Sequence, residues 1–93
     1  MYSYEIKPNL QKILNKLFKK DKSLYEQVMN KIEEIINNPD VEHYKNLRYN
    51  MKDSKRTQIG HFVLVFQFDK SKNLISFDDF DHHDKIYIKW NLL

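Results

Sequence analysis

The chain has 93 residues, of which 41% are hydrophobic and 31% charged, with 16 Lys and Arg against 13 Asp and Glu. This predicts one small folded domain over residues 1–93 and excludes a disordered chain. The absence of Cys excludes disulfides and thiolate sites, and no apolar run suits a bilayer span or a signal peptide, so we expect a cytoplasmic protein with no membrane partner.

The first third of the chain predicts a strand followed by two helices. Residues 2–7 alternate apolar and polar side chains, as a short strand does, and Pro8 can open a helix. Apolar residues then recur every three or four positions, and the sequence from Ser23 to Glu26 has the pattern of a capping box that starts a second helix. Because proline disfavours a helical residue before it, that helix should end just before Pro39. A helical hairpin results.

The rest of the chain predicts three strands. Residues 55–59, 61–68 and 74–80 have strand patterns, Gly60 permits a bend, and residues 69–73 are polar and loop-like. The order β-α-α-β-β-β indicates an α+β fold, with a twisted, mainly antiparallel sheet and the two-helix hairpin on one of its faces. The apolar C-terminal tail, residues 88–93, is expected to pack on the sheet edge or on a partner.

Basic residues are segregated along the chain, which favours a polyanionic partner only weakly, since a solvated basic face is as good an explanation. Three lysines of the first helix fall on one side of it. A second basic group lies before and at the start of the central strands, and its place makes it the better candidate for contacts with such a partner. The first group is Lys12, Lys16 and Lys19. The second group is Lys45, Arg48, Lys52, Lys55 and Arg56.

Two adjacent histidines, His82 and His83, lie near the end of the last predicted strand, together with Tyr87. Histidine changes its protonation nearest neutral pH, so the pair could serve as general base and acid. The alternative is two polar residues at an exposed strand end. Adjacent strand residues face opposite sides, so only one should face a given cleft unless the strand has already ended.

The acidic run around these histidines also raises the possibility of a metal site. In a strand, Asp79, Asp81 and His83 share one side, and Asp78, His82 and Asp84 share the other. One compact site would need a turn, so we predict no metal and expect the acids to pair with Lys or Arg or to face solvent.

The central basic segment resembles the RelE/ParE toxin superfamily. The sequence runs Lys45-Asn46-Leu47-Arg48, then Met51-Lys52, then from Lys55 through Gly60 to Phe66, and is similar to the family's Lys-x-Leu turn, basic strand, glycine and Tyr-Arg-Val-Ile-Tyr-type strand. The ending His82-x-x-x-x-Tyr87 resembles the family's His-Arg-Lys-x-x-Tyr. The resemblance covers residues 2–88.

This resemblance implies the toxin of a type II toxin–antitoxin system, neutralised by a RelB-like antitoxin. In the RelE branch it implies ribosome-dependent cleavage of mRNA without a metal or small-molecule cofactor, in which the ribose 2′-OH attacks its own 3′ phosphate. That step needs a base, an acid and cations beside the phosphoryl oxygens.

The resemblance carries roles to particular residues. Arg56 matches a basic position expected to steady the phosphate, His82 matches the family's histidine, with His83 as the second candidate, and Tyr87 matches the terminal tyrosine that orients the substrate. The residues expected to hold RNA are Lys45, Arg48, Lys52, Lys55 and Gln58.

Three positions depart from the family pattern. Gln58 and Val63 stand where basic residues are common, and Asp81 stands where some members carry a catalytic arginine. The alternative interpretation is therefore a ParE-like topoisomerase inhibitor, or an inactive relative that only binds its antitoxin. Fold alone does not decide between them.

Overall fold

A four-stranded sheet carries two helices on one face and a short third helix on the other. The computed structural model describes residues 2–46 and 54–90. Its elements are β1 (Ser3–Ile6), α1 (Pro8–Lys20), α2 (Lys22–Asn37), one 3₁₀ turn (Val41–His43), β2 (Ser54–Ile59), β3 (Phe62–Asp69), β4 (Leu74–His82) and α3 (His83–Lys89). The predicted α+β class and the β-α-α-β-β-β order are confirmed, with α3 added at the end.

The sheet has the order β1-β4-β3-β2. The β2–β3 and β3–β4 pairs are antiparallel, whereas β1 pairs with β4 in parallel because the α1–α2 hairpin intervenes between β1 and the other strands. Gly60 forms the β2–β3 turn at a φ of +59°, a left-handed conformation that glycine adopts without strain. A register shift between Val65 and Phe66 leaves Asp78 as an extra residue in β4, so β4 is bulged at its centre.

The main core lies between the sheet and the α1–α2 hairpin. Leu10 and Leu14 of α1 and four residues of α2 bury their side chains against the inward side of β2, β3 and β4. The sheet contributes Phe66 and Phe77, both fully buried, with rings 5.8 Å apart. The predicted helix stripes thus supply core residues, apart from Phe18, which is exposed, and they fix which face of the sheet remains for α3.

The start of α2 differs from the predicted capping box. The helix begins at Lys22, and Asp21 is its N-cap residue: Asp21 Oδ1 accepts a hydrogen bond of 3.1 Å from the Leu24 N–H. Ser23 is therefore already inside the helix and the prediction was wrong, because an aspartate two positions earlier supplies an equally good acceptor. In the described parts of the chain, no helix is long and apolar enough to cross a membrane.

The helix α3 was not predicted, and the predicted tail 88–93 begins inside it. Ile86 is buried against Val63 and Val65 on the sheet face opposite the hairpin, and Trp90 packs beside them. The spacing of four between Ile86 and Trp90 is a helical signal, but one pair is too short a pattern to predict an element. Residues 91–93 of that tail lie outside the described residues.

Candidate functional site

A cleft of about 640 Å³ opens between β2, α3 and the segment that follows α2. From β2, Arg56 and Gln58 face α3, because they pair with Val65 and Val63 on that side of the sheet. The complete lining is His43, Tyr44, Lys45, Arg56, Thr57, Gln58, Val63, His83 and Tyr87. Seven of these nine carry a cationic, imidazole or amide group or a phenol, so the cleft is suited to a polar ligand.

Arg56 and Tyr87 form the centre of the cleft. Arg56 Nη1 donates a hydrogen bond of 2.6 Å to Tyr87 Oη, and the guanidinium carbon lies 5.9 Å from the centroid of the Tyr87 ring. The phenol oxygen thus accepts from the guanidinium, which leaves its own O–H available as a donor. A guanidinium has five N–H donors in a planar fork that matches two phosphate oxygens. Together the two side chains can present several donors to one anionic group.

His83 is the imidazole next to this pair. It is the first residue of α3, and its ring lies edge-on to the Tyr87 ring with the centroids 4.4 Å apart. The His83 side chain is 40% exposed, and its Nδ1 is 3.5 Å from Asp84 Oδ1. His83 is therefore held beside the tyrosine while it remains accessible to a ligand in the cleft.

His82, which the family pattern matches, lies elsewhere. Its ring is stacked on His61 with centroids 6.3 Å apart and meets the Phe62 ring edge-on at 5.7 Å. Phe62 belongs to the core on the hairpin side of the sheet. His82 also caps α3, since its Nδ1 accepts from the Asp84 N–H at 3.4 Å. The structure thus brings Arg56, Tyr87 and His83 together, and it does not bring His82 to them.

The residues predicted to hold RNA fall in three places. Lys45 and Gln58 line the cleft, although the Gln58 amide also donates to the Gly60 carbonyl at 3.1 Å. Lys55 does not line it: the residue is 4% exposed and its Nζ donates to Asn46 Oδ1 at 2.8 Å. Because Lys55 alternates with Arg56 along β2, it points to the hairpin side. Arg48 and Lys52 lie outside the described residues.

Sequence reasoning missed three residues of the cleft wall: His43, Tyr44 and Thr57. Tyr44 is fixed by its hydroxyl, which donates to Glu34 Oε2 at 2.7 Å. That bond, with help from Lys31 and against the effect of burial, holds the pKa of Glu34 below its usual value. His43 ends a single 3₁₀ turn, Tyr44 follows that turn and Thr57 lies in the edge strand, and no periodic pattern marks these side chains as facing a site.

The acidic run near the end of β4 forms ion pairs, as one of the two predicted alternatives stated. Lys89 Nζ lies 2.9 Å from Asp79 Oδ2 and 3.1 Å from Asp81 Oδ2. Asp81 stands at the position where some relatives carry an arginine, and here it forms an ion pair with Lys89 of α3. Within residues 2–46 and 54–90, no group of three or more His, Asp or Glu side chains is arranged to hold a metal ion.

Comparisons with known proteins show the family and the fold of this chain. The family model of the ParE toxin of type II toxin–antitoxin systems, parDE, matches residues 4–87. A protein of Methanocaldococcus jannaschii named "Putative toxin RelE4" is 50% identical over 93 residues, which are 99% of this chain and 97% of that protein.

Solved structures share the fold. The isolated RelE toxin of E. coli superposes with a TM-score of 0.70 at 18% identity, over 100% of both chains. A mutant of E. coli RelE in complex with a peptide of the antitoxin RelB superposes with a TM-score of 0.64 at 20% identity, over 96% of this chain and 93% of that one. At such identities the likeness concerns the fold alone.

Proposed function

Because the chain belongs to the ParE toxin family of type II toxin–antitoxin systems, we propose that it is a toxin that cuts mRNA on the ribosome and so inhibits translation. One observation carries the proposal: Arg56, Tyr87 and His83 converge in one open cleft. Phosphodiester cleavage needs a cation, hydrogen-bond donors and a group that exchanges protons near neutral pH. The proposed site of action is the cytoplasm, where ribosomes are.

The proposed reaction is an internal transfer that needs no metal. The ribose 2′-OH loses its proton to a base and attacks the adjacent phosphorus, and the bond to the 5′ oxygen of the next nucleotide breaks. The products are a 2′,3′-cyclic phosphate and a 5′-hydroxyl, which receives a proton from an acid. Negative charge grows on the phosphoryl oxygens during this step, so preorganised donors there lower the barrier.

The side chains of the cleft can take these roles. Arg56 would bind the phosphoryl oxygens, and Tyr87 would donate its O–H to the same group and orient it. His83 would exchange a proton at one side of the phosphate. His43, across the cleft, is a second imidazole, so one histidine can serve as base while the other serves as acid.

RNA binding outside the reacting group would rest on charge. Lys45 and Gln58 line the cleft and can reach the backbone or a base, and Arg48 and Lys52 remain predicted contacts. Contacts to phosphates release counterions, so binding should weaken as the salt concentration rises. The proposed polyanion is mRNA held in the ribosome.

A RelB-like antitoxin is the proposed partner, since the family consists of toxins of toxin–antitoxin systems. A groove of about 530 Å³ between α1 and α2 offers one dock for an amphipathic helix. Phe18 at its edge is 51% exposed, packs edge-on with Tyr25 and lies under the Lys22 ammonium. Exposed aromatic surface with basic neighbours suits an acidic helix.

Inhibition of a topoisomerase is the rival function, and two observations favour it. The family model that matches carries the ParE name, and Gln58 and Val63 stand where basic residues are common in RelE-like toxins. Val63 is 4% exposed beneath α3 and supplies no charge to the cleft. If this protein is a nuclease, its cleft therefore works with fewer positively charged residues than the RelE-like sequence pattern has.

The deciding experiment is in vitro translation with added purified protein, followed by primer extension to map mRNA ends, with a DNA supercoiling assay on gyrase run in parallel. The nuclease proposal predicts cuts at fixed positions within codons and unchanged supercoiling. Intact mRNA together with inhibited supercoiling would replace it with the topoisomerase function. Intact mRNA and normal supercoiling from folded protein would leave antitoxin binding as the role.

A further inference from the structure

Asp79 of β4 is a buried carboxylate with an unusual number of partners. It is 3% exposed. Its Oδ1 accepts from the Asn9 side-chain amide at 3.2 Å, and its Oδ2 accepts from the Trp90 indole N–H at 3.2 Å and pairs with Lys89 Nζ at 2.9 Å. Through these bonds one side chain joins β4 to the first turn of α1 and to the end of α3.

The helix that Asp79 holds has little else to fix it. With seven residues, α3 is too short to be stable alone. Its apolar packing consists of Ile86, set against Val63 and Val65, with Trp90 beside them. Ile88 on the same helix is 69% exposed and adds nothing to that packing. The ion pair and the indole bond at its C-terminal end are therefore a large part of what docks it.

The same helix carries half of the proposed site. His83 is its first residue and Tyr87 lies one turn later, whereas Arg56 belongs to β2. The 2.6 Å bond between Arg56 and Tyr87 exists only while α3 rests on the sheet. A displacement of about 1 Å in a catalytic group can cost as much as a hundredfold in rate.

We propose that Asp79 is a positioning residue for RNA cleavage, which docks α3 through Lys89 and Trp90 so that Tyr87 and His83 face Arg56. This rests on the nuclease function proposed above. Asp79 is not among the residues that line the cleft. It acts on the reaction only through the placement of the helix.

The test uses the single tryptophan of the chain as a reporter of docking. In Asp79→Asn the side chain keeps its size, but an amide NH2 in place of Oδ2 would face the donors of Lys89 and Trp90. We expect kcat for cleavage of ribosome-bound mRNA to fall about tenfold or more with KM within about twofold. We also expect Trp90 fluorescence to shift to longer wavelength as the indole meets water.

Three further variants complete the test. Asp78→Asn makes the same chemical change one residue away and should leave both kcat and the Trp90 emission as in wild type. Lys89→Met removes the ammonium from a side chain that is 42% exposed, so it tests the same ion pair if Asp79→Asn does not fold. It should lower kcat, and Lys89→Arg should restore most of it.

Two results would overturn the positioning role: wild-type kcat in folded Asp79→Asn and Lys89→Met, or a loss of kcat with unchanged Trp90 emission. A wild-type protein that cuts no mRNA would instead overturn the nuclease function, and the role of Asp79 with it, whatever Trp90 shows. The two failures are thereby distinguishable.

Discussion

The hydroxyl of Tyr87 is the atom through which two elements of the site meet. It accepts from Arg56 Nη1 at 2.6 Å, so it holds the guanidinium in place and can itself donate to a bound phosphate. Such preorganised donors act most strongly on charge that appears only in the transition state. The ring contributes the contact with His83 at 4.4 Å, which a phenylalanine would keep.

Tyr87→Phe should therefore lower the cleavage rate on the order of 10²-fold while leaving the fold intact. The measurement is the single-turnover rate on ribosome-bound mRNA. Tyr2→Phe is the matched control, since it also removes a hydroxyl that makes a hydrogen bond, 2.9 Å to the Pro39 carbonyl, away from the cleft. Equal cleavage rates for Tyr87→Phe and Tyr2→Phe would show that the Tyr87 hydroxyl has no role in the reaction.

The adjacent histidines offer a second test at this scale. His83→Asn should slow cleavage on the order of 10²-fold because the proton-exchanging imidazole is lost. His82→Asn removes an imidazole outside the cleft, and asparagine remains a good N-cap for α3, so the rate should stay within about threefold of wild type. The same assay at pH 6 to 8 compares both with wild type. The opposite order of effects would return the catalytic role to His82.

The choice between these two histidines shows what a sequence pattern can and cannot predict. The pattern placed a histidine and a tyrosine near Arg56, and the structure has both. It selected His82 because of its spacing from Tyr87, but the chain changes from strand to helix between His82 and His83. That change turns the second histidine, and not the first, toward the tyrosine. Spacing along the chain does not show where a strand ends, so it could not tell which of two adjacent histidines faces the cleft.

At the scale of elements, an experiment can decide whether Asp21 or Ser23 caps the start of α2. Asp21→Ala removes the acceptor of the Leu24 N–H and should lower the free energy of unfolding by about 1 kcal/mol. Ser23→Ala, inside the helix, should change it by less than about 0.5 kcal/mol. Urea unfolding followed by circular dichroism measures both. A larger loss for Ser23→Ala would favour the capping box.

The helix α3 was the element that the sequence did not predict. The long apolar stripes of α1 and α2 and the dense strands β3 and β4 are repeated signals, so their existence followed from the chain alone. By contrast, α3 depends on one apolar pair and on a carboxylate, Asp79, that lies in another element. Contacts between elements leave no periodic trace, which is why the docking of α3, and the cleft beside it, could not be predicted.

At the scale of the whole molecule, the two faces of the sheet have separate tasks. The hairpin face holds the main core, so stability resides there, and the opposite face carries α3 and the cleft. The cationic and imidazole groups of the cleft are at least partly exposed to solvent, whereas the buried carboxylate of Asp79 lies where α3 meets β4. The class and layering were predictable from segregated periodicities, as the order of elements confirms.

Two aspartates of β4, Asp78 and Asp81, should make the free energy of unfolding depend on pH in opposite directions. Burial raises the pKa of Asp78 above its usual 3.8, and Lys7 and a hydrogen bond from Gln67 offset this only in part. Its Oδ2 has no hydrogen-bond partner among the described residues. Because the folded pKa is the higher one, Asp78 destabilises the fold progressively as pH rises from below the unfolded pKa through the folded pKa.

Asp78→Asn should therefore raise the free energy of unfolding at pH 7, on the order of 1 kcal/mol, with no gain at pH 3. Asp81→Asn is the contrasting control. Burial opposes the shift, but the His82 N–H and Lys89 hold the pKa of Asp81 below its usual value. Its removal should lower stability at pH 7 and matter less as pH falls through the folded pKa. Urea unfolding at both pH values decides, and a gain for Asp78→Asn that persists at pH 3 would contradict this account.

The central claim is that the cleft around Arg56 cuts mRNA, and it is tested most directly on ribosomes programmed with a defined mRNA. Wild type and Arg56→Ala are compared by cleavage rate and by the chemistry of the fragment ends, with Lys16→Ala as a control for loss of one positive charge. We expect wild type and Lys16→Ala to release fragments that end in a 2′,3′-cyclic phosphate, and Arg56→Ala to do so on the order of 10²-fold more slowly. Equal rates for Arg56→Ala and wild type, or no cleavage by wild type, would contradict it.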